Sequence, residues 1–286
     1  SCGPEGLFVL DKNDIKIECK IIPLKFEKPI PKIEYSEDSD NIFNPIIPLP
    51  NNLKLKKETV QIKDLIFKIS SSEKGFFDNF ENLVKVSNIK FNTLTGFPIV
   101  FTKKQLQSEE YKITIDKNLI TIHYSDYGGK FYSIISLIQL LNYYNSNLPL
   151  GLIQDSPALN WRGMHLDCAR QFYSIDEIKR LLDYMSFFKL NRFHWHLTDN
   201  EAWRVELQCY PNLTKVGAFR GYNEAIPPFY GTGYHKSGGY YSRTEIKELI
   251  EYAKLRNIEI MPEIDLPAHS WTLLQVMPEL RDSTSN

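Results

Sequence analysis

The 286 residues contain no arginine and no tryptophan before Trp161. All nine arginines and all four tryptophans lie at or after it, whereas 19 of the 25 lysines precede it. Such a shift in usage marks two units of different history, and Asp155-Ser156-Pro157, polar and proline-containing, is the natural joint. Cysteine is scarce. The four present, Cys2, Cys19, Cys168 and Cys209, include no CxxC pair, which excludes a disulfide scaffold and argues against structural zinc held by cysteine pairs. No run of about 18 apolar residues could span a bilayer. Neither charge dominates, with 34 basic against 35 acidic side chains, so nucleic acid as a partner has no electrostatic footprint. Hydrophobic residues make up 42% of the chain, enough for a true core, and disorder, collagen-like repeats and coiled coil fall away. The Ser1-Cys2-Gly3 start fits the remnant of a bacterial lipoprotein signal, and the expected location is extracytoplasmic: periplasmic, secreted or anchored through a lipid on Cys2.

Three segments follow from the patterning. Residues 1–50 hold six prolines from Pro23 to Pro50 and the polar stretch Ser36 to Asn41, and read as an extended arm or linker. Residues 51–157 read as a small α+β domain. Thr59 to Ser70, Tyr111 to Ile115 and Leu119 to Ser125 are β-branched and aromatic runs, the last two flanking a turn at Asp116-Lys117-Asn118. Gly128-Gly129 then opens a helix with Ile134, Ile135, Leu137, Ile138 and Leu141 on one broad face. Residues 158–286 alternate strand and helix. The strands are Met164 to Ala169, Arg192 to Leu197 and Ile258 to Ile264. The helices open at Ser174 and Ser242, each with Glu three residues on, so that hydroxyl and carboxylate can satisfy each other's backbone amides. A loop of some forty residues precedes the second helix. Three successive units of this kind predict an α/β fold, either a barrel or a doubly wound sheet.

Polar residues gather where these strands end: Asp167 and Arg170 after the first, His194, His196 and Asp199 on the second, Glu263, Asp265 and His269 after the third. In an α/β barrel the carboxyl ends of the strands carry the active site, so the distribution favours an enzyme. Asp265 and His269 are four residues apart across a turn, the spacing of a carboxylate that fixes an imidazole tautomer and supports its charge. Trp195, Trp203 and Trp271 could wall a pocket against the CH face of a sugar, or be ordinary core. His194 and His196, two apart on a strand and therefore on one face, leave a metal-dependent barrel hydrolase open as an alternative. A non-catalytic sugar-binding protein is another.

Read together, Trp161-Arg162-Gly163-Met164-His165-Leu166-Asp167-Cys168-Ala169-Arg170-Gln171-Phe172, Phe193-His194-Trp195-His196-Leu197-Thr198-Asp199 with Trp203-Arg204, and Pro262-Glu263-Ile264-Asp265-Leu266-Pro267-Ala268-His269-Ser270 resemble, in order, the first three strands of the family 20 glycoside hydrolases, the β-N-acetylhexosaminidases. The resemblance implies an N-terminal α+β domain followed by the first three βα units of a (β/α)8 TIM barrel, truncated. The implied activity is removal of terminal N-acetylglucosamine or N-acetylgalactosamine from glycans or chitooligosaccharides, without a cofactor, the substrate's own 2-acetamido oxygen attacking the anomeric carbon with net retention. It further implies that Arg162 holds the O3 and O4 hydroxyls of the sugar, although strand geometry alone puts Arg162 at the entry end of its strand, remote from the site. Asp265 and His269 would relay toward the general acid, and Asp167, His196, Asp199 and Glu263 would line the pocket. Asn200 stands where a second Asp is common, and Ala268 where Gly usually precedes the His. The family's adjacent Asp-Glu catalytic pair is missing: after Asp265 the only acidic residues are Glu279 and Asp282. The 286-residue chain alone is expected to be inactive.

Overall fold

The computed structural model describes residues 8–10, 16–18, 45–84, 88–229 and 233–282. The chain divides into two compact units, Ser1–Phe43 and Asn44–Asn286. In the first, β1 (Phe8–Leu10) and β2 (Lys16–Glu18) pair antiparallel with Val9 opposite Ile17. Most of the expected arm, and Cys2 with it, lies outside the described residues. Its last few residues depart from expectation: Ile46 is buried in an apolar core, and Gln139 clamps both the amide and the carbonyl of Ile47, at 3.0 and 2.9 Å.

The second unit begins with seven strands: β3 (Asn52–Gln61), β4 (Ile66–Lys68), β5 (Lys90–Asn92), β6 (Phe97–Lys103), β7 (Tyr111–Ile115), β8 (Ile120–Tyr124) and β9 (Asn147–Asp155). They form one sheet in the order β3-β9-β7-β8-β6-β4-β5. β7 and β8 are the expected hairpin, closed by the Asp116 amide donating to the Leu119 carbonyl at 3.0 Å. The strict alternation of Tyr111, Ile113, Ile115, Ile120 and Ile122 drives one face into the core. The run Thr59 to Ser70 is not one strand, as its composition predicted. Asp64 and Leu65 take left-handed φ of 52° and 51° in a short turn, and β3 and β4 lie on opposite sides of the sheet.

Between β4 and β5 run two one-turn helices, α1 (Lys74–Phe77) and α2 (Glu81–Val84). After β8 comes α3 (Tyr127–Tyr144), capped by the Asp126 carboxylate accepting from the Gly129 amide at 2.9 Å. Phe131, Ile134, Ile135, Leu137, Ile138, Leu140 and Leu141 are all essentially inaccessible, each contributing about 1.5–3 kcal/mol of burial. Burial extends right round the helix because it is covered on both sides. The sheet packs on one, and on the other Gln139 donates to the Phe187 carbonyl at 2.8 Å.

The remaining elements are β10 (Gly163–Asp167), α4 (Ile175–Phe187), β11 (Arg192–Asp199), β12 (Ala202–Trp203), α5 (Asn212–Lys215), β13 (Phe219–Arg220), β14 (Ser237–Gly238), α6 (Arg243–Lys254), β15 (Glu259–Ile264) and α7 (Trp271–Val276). β10, β11 and β15 are parallel neighbours in sequential order, as in the wall of a (β/α)8 barrel. Both predicted capping boxes are present: Glu177 accepts from the Ser174 amide at 2.7 Å and Glu245 from the Ser242 amide at 2.8 Å. Ile178, Leu182 and Met185 of α4 and Leu249 and Ala253 of α6 cover Phe193, Trp195 and Leu197 on one face of the sheet.

The expected forty-residue loop is instead built around one buried cation. The Arg204 guanidinium donates to the carbonyls of Cys168, Ala169 and Gly239, each at 2.9 Å, and of Ala218. Its burial and the neighbouring Arg220 charge lower its pKa to about 10. Around it β13 pairs with β14, and β12 folds back on the end of β11. Sequence periodicity misses such short pieces because no apolar repeat holds them together.

Candidate active site at the carboxyl ends of the strands

The parallel register sets Asp167, His196 and Glu263 side by side, with His165 beside His194 one pleat earlier. A period of two keeps all five on the face that the helices do not cover. At the carboxyl end Arg170 closes the cluster. Its guanidinium donates to Asp167 at 2.8 Å, Asp199 at 2.6 Å and Glu201 at 3.0 Å, while its side chain stays 34% exposed. A cation held by three carboxylates is fixed in direction yet still presents an edge to solvent. Glu201 is nearly buried, and its pKa is raised by that burial, which with the Asp199 charge outweighs Arg170.

Asp199 lies at the centre of the polar network. It accepts from the Asn200 amide at 2.7 Å, contacts His196 Nε2 at 3.0 Å through one oxygen, and His269 Nδ1 at 3.0 Å through the other. Burial would raise its pKa, but the Asn200 amide, His196, Arg170 and His269 outweigh it and hold the carboxyl below its ordinary range. Burial opposes the charged form of His196 as well, yet Glu263 and Asp199 prevail and its pKa is raised. Glu263 gathers three imidazoles on one oxygen: His194 Nε2 at 2.6 Å, His196 Nδ1 at 2.8 Å and His165 Nε2 at 3.8 Å. Burial notwithstanding, His196 and His194 lower its pKa.

These contacts correct the expected relay. The carboxylate facing His269 is Asp199, not Asp265, which contributes its amide to Thr198 Oγ1 at 3.0 Å. The reason is topological. β11 and β15 are adjacent, so the end of one strand meets the loop leaving the other, a proximity that spacing along the chain does not reveal. His269 itself takes a left-handed φ of 52°, uncommon for a residue with a Cβ and characteristic of held site residues. Ala268 needs no such conformation. Asn200 anchors the same turn: its side-chain oxygen accepts from the Trp271 amide at 3.0 Å, at the start of α7, and its carbonyl accepts from Thr272 at 2.7 Å.

Chain residues 159–286 match the catalytic domain of glycosyl hydrolase family 20, and residues 44–156 match domain 2 of the same family. The chain belongs to family 20. Among its curated relatives, a β-hexosaminidase of Vibrio furnissii is 39% identical over 63% of this chain, and the N,N'-diacetylchitobiase of Vibrio harveyi is 32% identical over 86% of it. The chain spans only 30% of the length of either relative. Solved structures agree in fold. The family 20 exo-β-N-acetylglucosaminidase of Vibrio harveyi, crystallised with N-acetylglucosamine, superposes with a TM-score of 0.76 at 32% identity, covering 85% of this chain and 39% of that one. The β-N-acetylhexosaminidase of Bacteroides fragilis gives 0.69 at 32% identity, covering 82% and 48%.

As a family 20 chain, it departs from the sequence reading at Arg162. That side chain precedes β10, at the opposite end of the sheet from the carboxylate cluster. It donates to the carbonyls of Lys189 and Leu159, both at 2.7 Å, and to Glu109 at 2.6 Å, joining the α+β domain to the foot of the barrel. Arg170, eight residues later, is the guanidinium that lies at the carboxyl end among Asp167, Asp199 and Glu201. Of the three tryptophans, Trp195 is core and donates to Cys168 Sγ at 3.2 Å. Trp203 is also buried and donates to the Val205 carbonyl at 2.8 Å. Trp271 keeps partial exposure. Glu201 escaped the sequence reading altogether, since no periodicity marks a loop carboxylate; its place directly after the strand end was the one available signal.

Proposed function

We propose that this chain is part of an exo-acting β-N-acetylhexosaminidase that removes terminal N-acetylglucosamine or N-acetylgalactosamine from glycans or chitooligosaccharides with retention of configuration. The observation that carries the reading is the Arg170 guanidinium, fixed by Asp167, Asp199 and Glu201 at the carboxyl ends of parallel strands and still open to solvent on one edge. Such a fork suits two vicinal sugar hydroxyls. In this role Arg170 orients the non-reducing sugar. Asp199, 3.0 Å from His269 Nδ1, orients that imidazole toward the general acid as the acid loses and regains its proton. The attacking group is the 2-acetamido oxygen of the substrate itself. The Asp-Glu pair that would orient it and protonate the leaving oxygen is not in this sequence, so the activity is proposed for the full-length protein.

The test is hydrolysis of an aryl N-acetyl-β-glucosaminide by the full-length protein, with the anomer released followed by proton NMR. Release of the β-anomer, with no turnover of the aryl glucoside that lacks the acetamido group, is expected. Turnover of both glycosides, or release of the α-anomer, overturns the reading. An extracytoplasmic location through Cys2 is part of the proposal, and fractionation of cells that make the full-length protein tests it.

A further inference from the structure

The three carboxylates around Arg170 meet it on three different nitrogens: Asp167 on Nη1 at 2.8 Å, Asp199 on Nη2 at 2.6 Å and Glu201 on Nε at 3.0 Å. Two of them have further partners. Asp167 also accepts from the amides of Ala169 and Arg170, both at 3.0 Å, and Asp199 engages the Asn200 amide and two imidazoles. Glu201 is placed differently. Its side chain is only 5% exposed, burial and the Asp199 charge both oppose its ionised form, and Arg170 is the cation that favours it. A carboxylate buried beside another is costly, and an apolar side chain of like size is often as stable in such a place. The position of Glu201 is therefore explained by what it does to Arg170.

The backbone holds Glu201 rigidly. Asp199 pairs with Ala202 across the turn from β11 to β12, which makes Asn200 and Glu201 a two-residue hairpin loop. Asn200 in turn is tied to α7 through Trp271 and Thr272. Contacts on Nη1 and Nη2 alone would leave the guanidinium plane free to pivot about the line joining them. The third contact, on Nε, fixes that plane. A guanidinium has five N–H groups. With one spent on each nitrogen, one remains on each Nη, and both lie in the fixed plane. His196 Nε2 stands 3.4 Å from Nη1, but Glu263 and Asp199 hold that ring towards its charged form, which donates and does not accept. The two remaining N–H groups are left for a ligand that offers two neighbouring oxygens.

We propose that Glu201 is a positioning residue that sets the plane of Arg170, so that the guanidinium reads the O3 and O4 hydroxyls of the sugar together and discriminates against a sugar lacking one of them. The inference rests on Arg170 as the guanidinium that binds the sugar.

The test compares kcat/KM of the full-length protein, well below its melt, for an aryl N-acetyl-β-glucosaminide and for the 4-deoxy analogue. The unsubstituted protein should prefer the substrate with the 4-hydroxyl by about tenfold or more, the worth of a hydrogen bond from a charged donor. In Glu201→Leu the preference should fall to about threefold or less, because a tilted fork bonds poorly. Glu201→Gln keeps an oxygen facing Nε and should retain the preference. A Leu variant that loses kcat/KM equally for both substrates overturns the inference alone, since a merely structural role would act in that way. Loss of the preference in Glu201→Gln to the same extent as in Glu201→Leu also overturns it. No preference in the unsubstituted protein overturns the reading of Arg170, and this inference with it.

Discussion

Replacing Arg162 by alanine tests where the functional guanidinium lies. In the structure this side chain gives three strong hydrogen bonds, to the Lys189 and Leu159 carbonyls and to Glu109, with both members of the ion pair about 15% exposed. Glu109 would keep the amide donors of Asn191 and Asn257, at 3.3 and 2.8 Å, so its charge is not stranded. The loss is therefore below that of a fully buried pair and amounts to about 4 kcal/mol, mostly the two carbonyl bonds made by a charged donor. For a domain of this size that lowers the melting temperature by roughly 8–16 °C. Circular dichroism of the chain on heating gives the first reading. The second is N-acetylglucosamine affinity of the full-length protein, measured well below its melt, which should stay unchanged because Arg162 lies at the far end of the sheet. An unaltered melt, or a tenfold loss of sugar affinity with the melt preserved, would refute the placement of Arg162 outside the pocket.

Arg204→Lys should destabilise by more than about 3 kcal/mol despite keeping the charge, because one ammonium cannot replace a planar fork serving four buried carbonyls; chemical denaturation measures it. Asn200→Ala removes the acceptor for the Trp271 amide and should cost about 1 kcal/mol, with faster amide exchange at the start of α7 as its signature. Stability should peak on the acid side of neutrality. The raised pKa of His196 contributes stability that is fully present below about pH 6.5 and is lost as pH rises through its folded value. The lowered pKa values of Asp199 and Glu263 contribute stability present above about pH 4 and lost as pH falls through theirs. A melting profile flat from pH 4 to 8 would contradict the network, and His196→Gln should remove the alkaline limb and weaken the acid one, because His196 also lowers the pKa of Glu263 and Asp199.

What the sequence determined by itself is local. The capping boxes at Ser174 and Ser242, the β7–β8 hairpin, and the gathering of carboxylates and imidazoles at three strand ends are settled within a few residues of chain, by backbone amides needing acceptors and by the twofold period of a strand. The sequence also bears the family's motifs. Tertiary structure decided the partnerships. His269 finds Asp199 rather than Asp265 because β11 and β15 lie side by side. Trp195 is core because its face of β11 is the one α4 and α6 cover. Thr59 to Ser70 divides because its two halves belong to opposite sides of one sheet. Arg162 and Arg170, eight residues apart in one motif, are carried to opposite ends of a five-residue strand, one to join domains and the other to face the pocket. A side chain's chemical type is written in the sequence, but its partner depends on which strands become neighbours, and residues distant in sequence set that through burial.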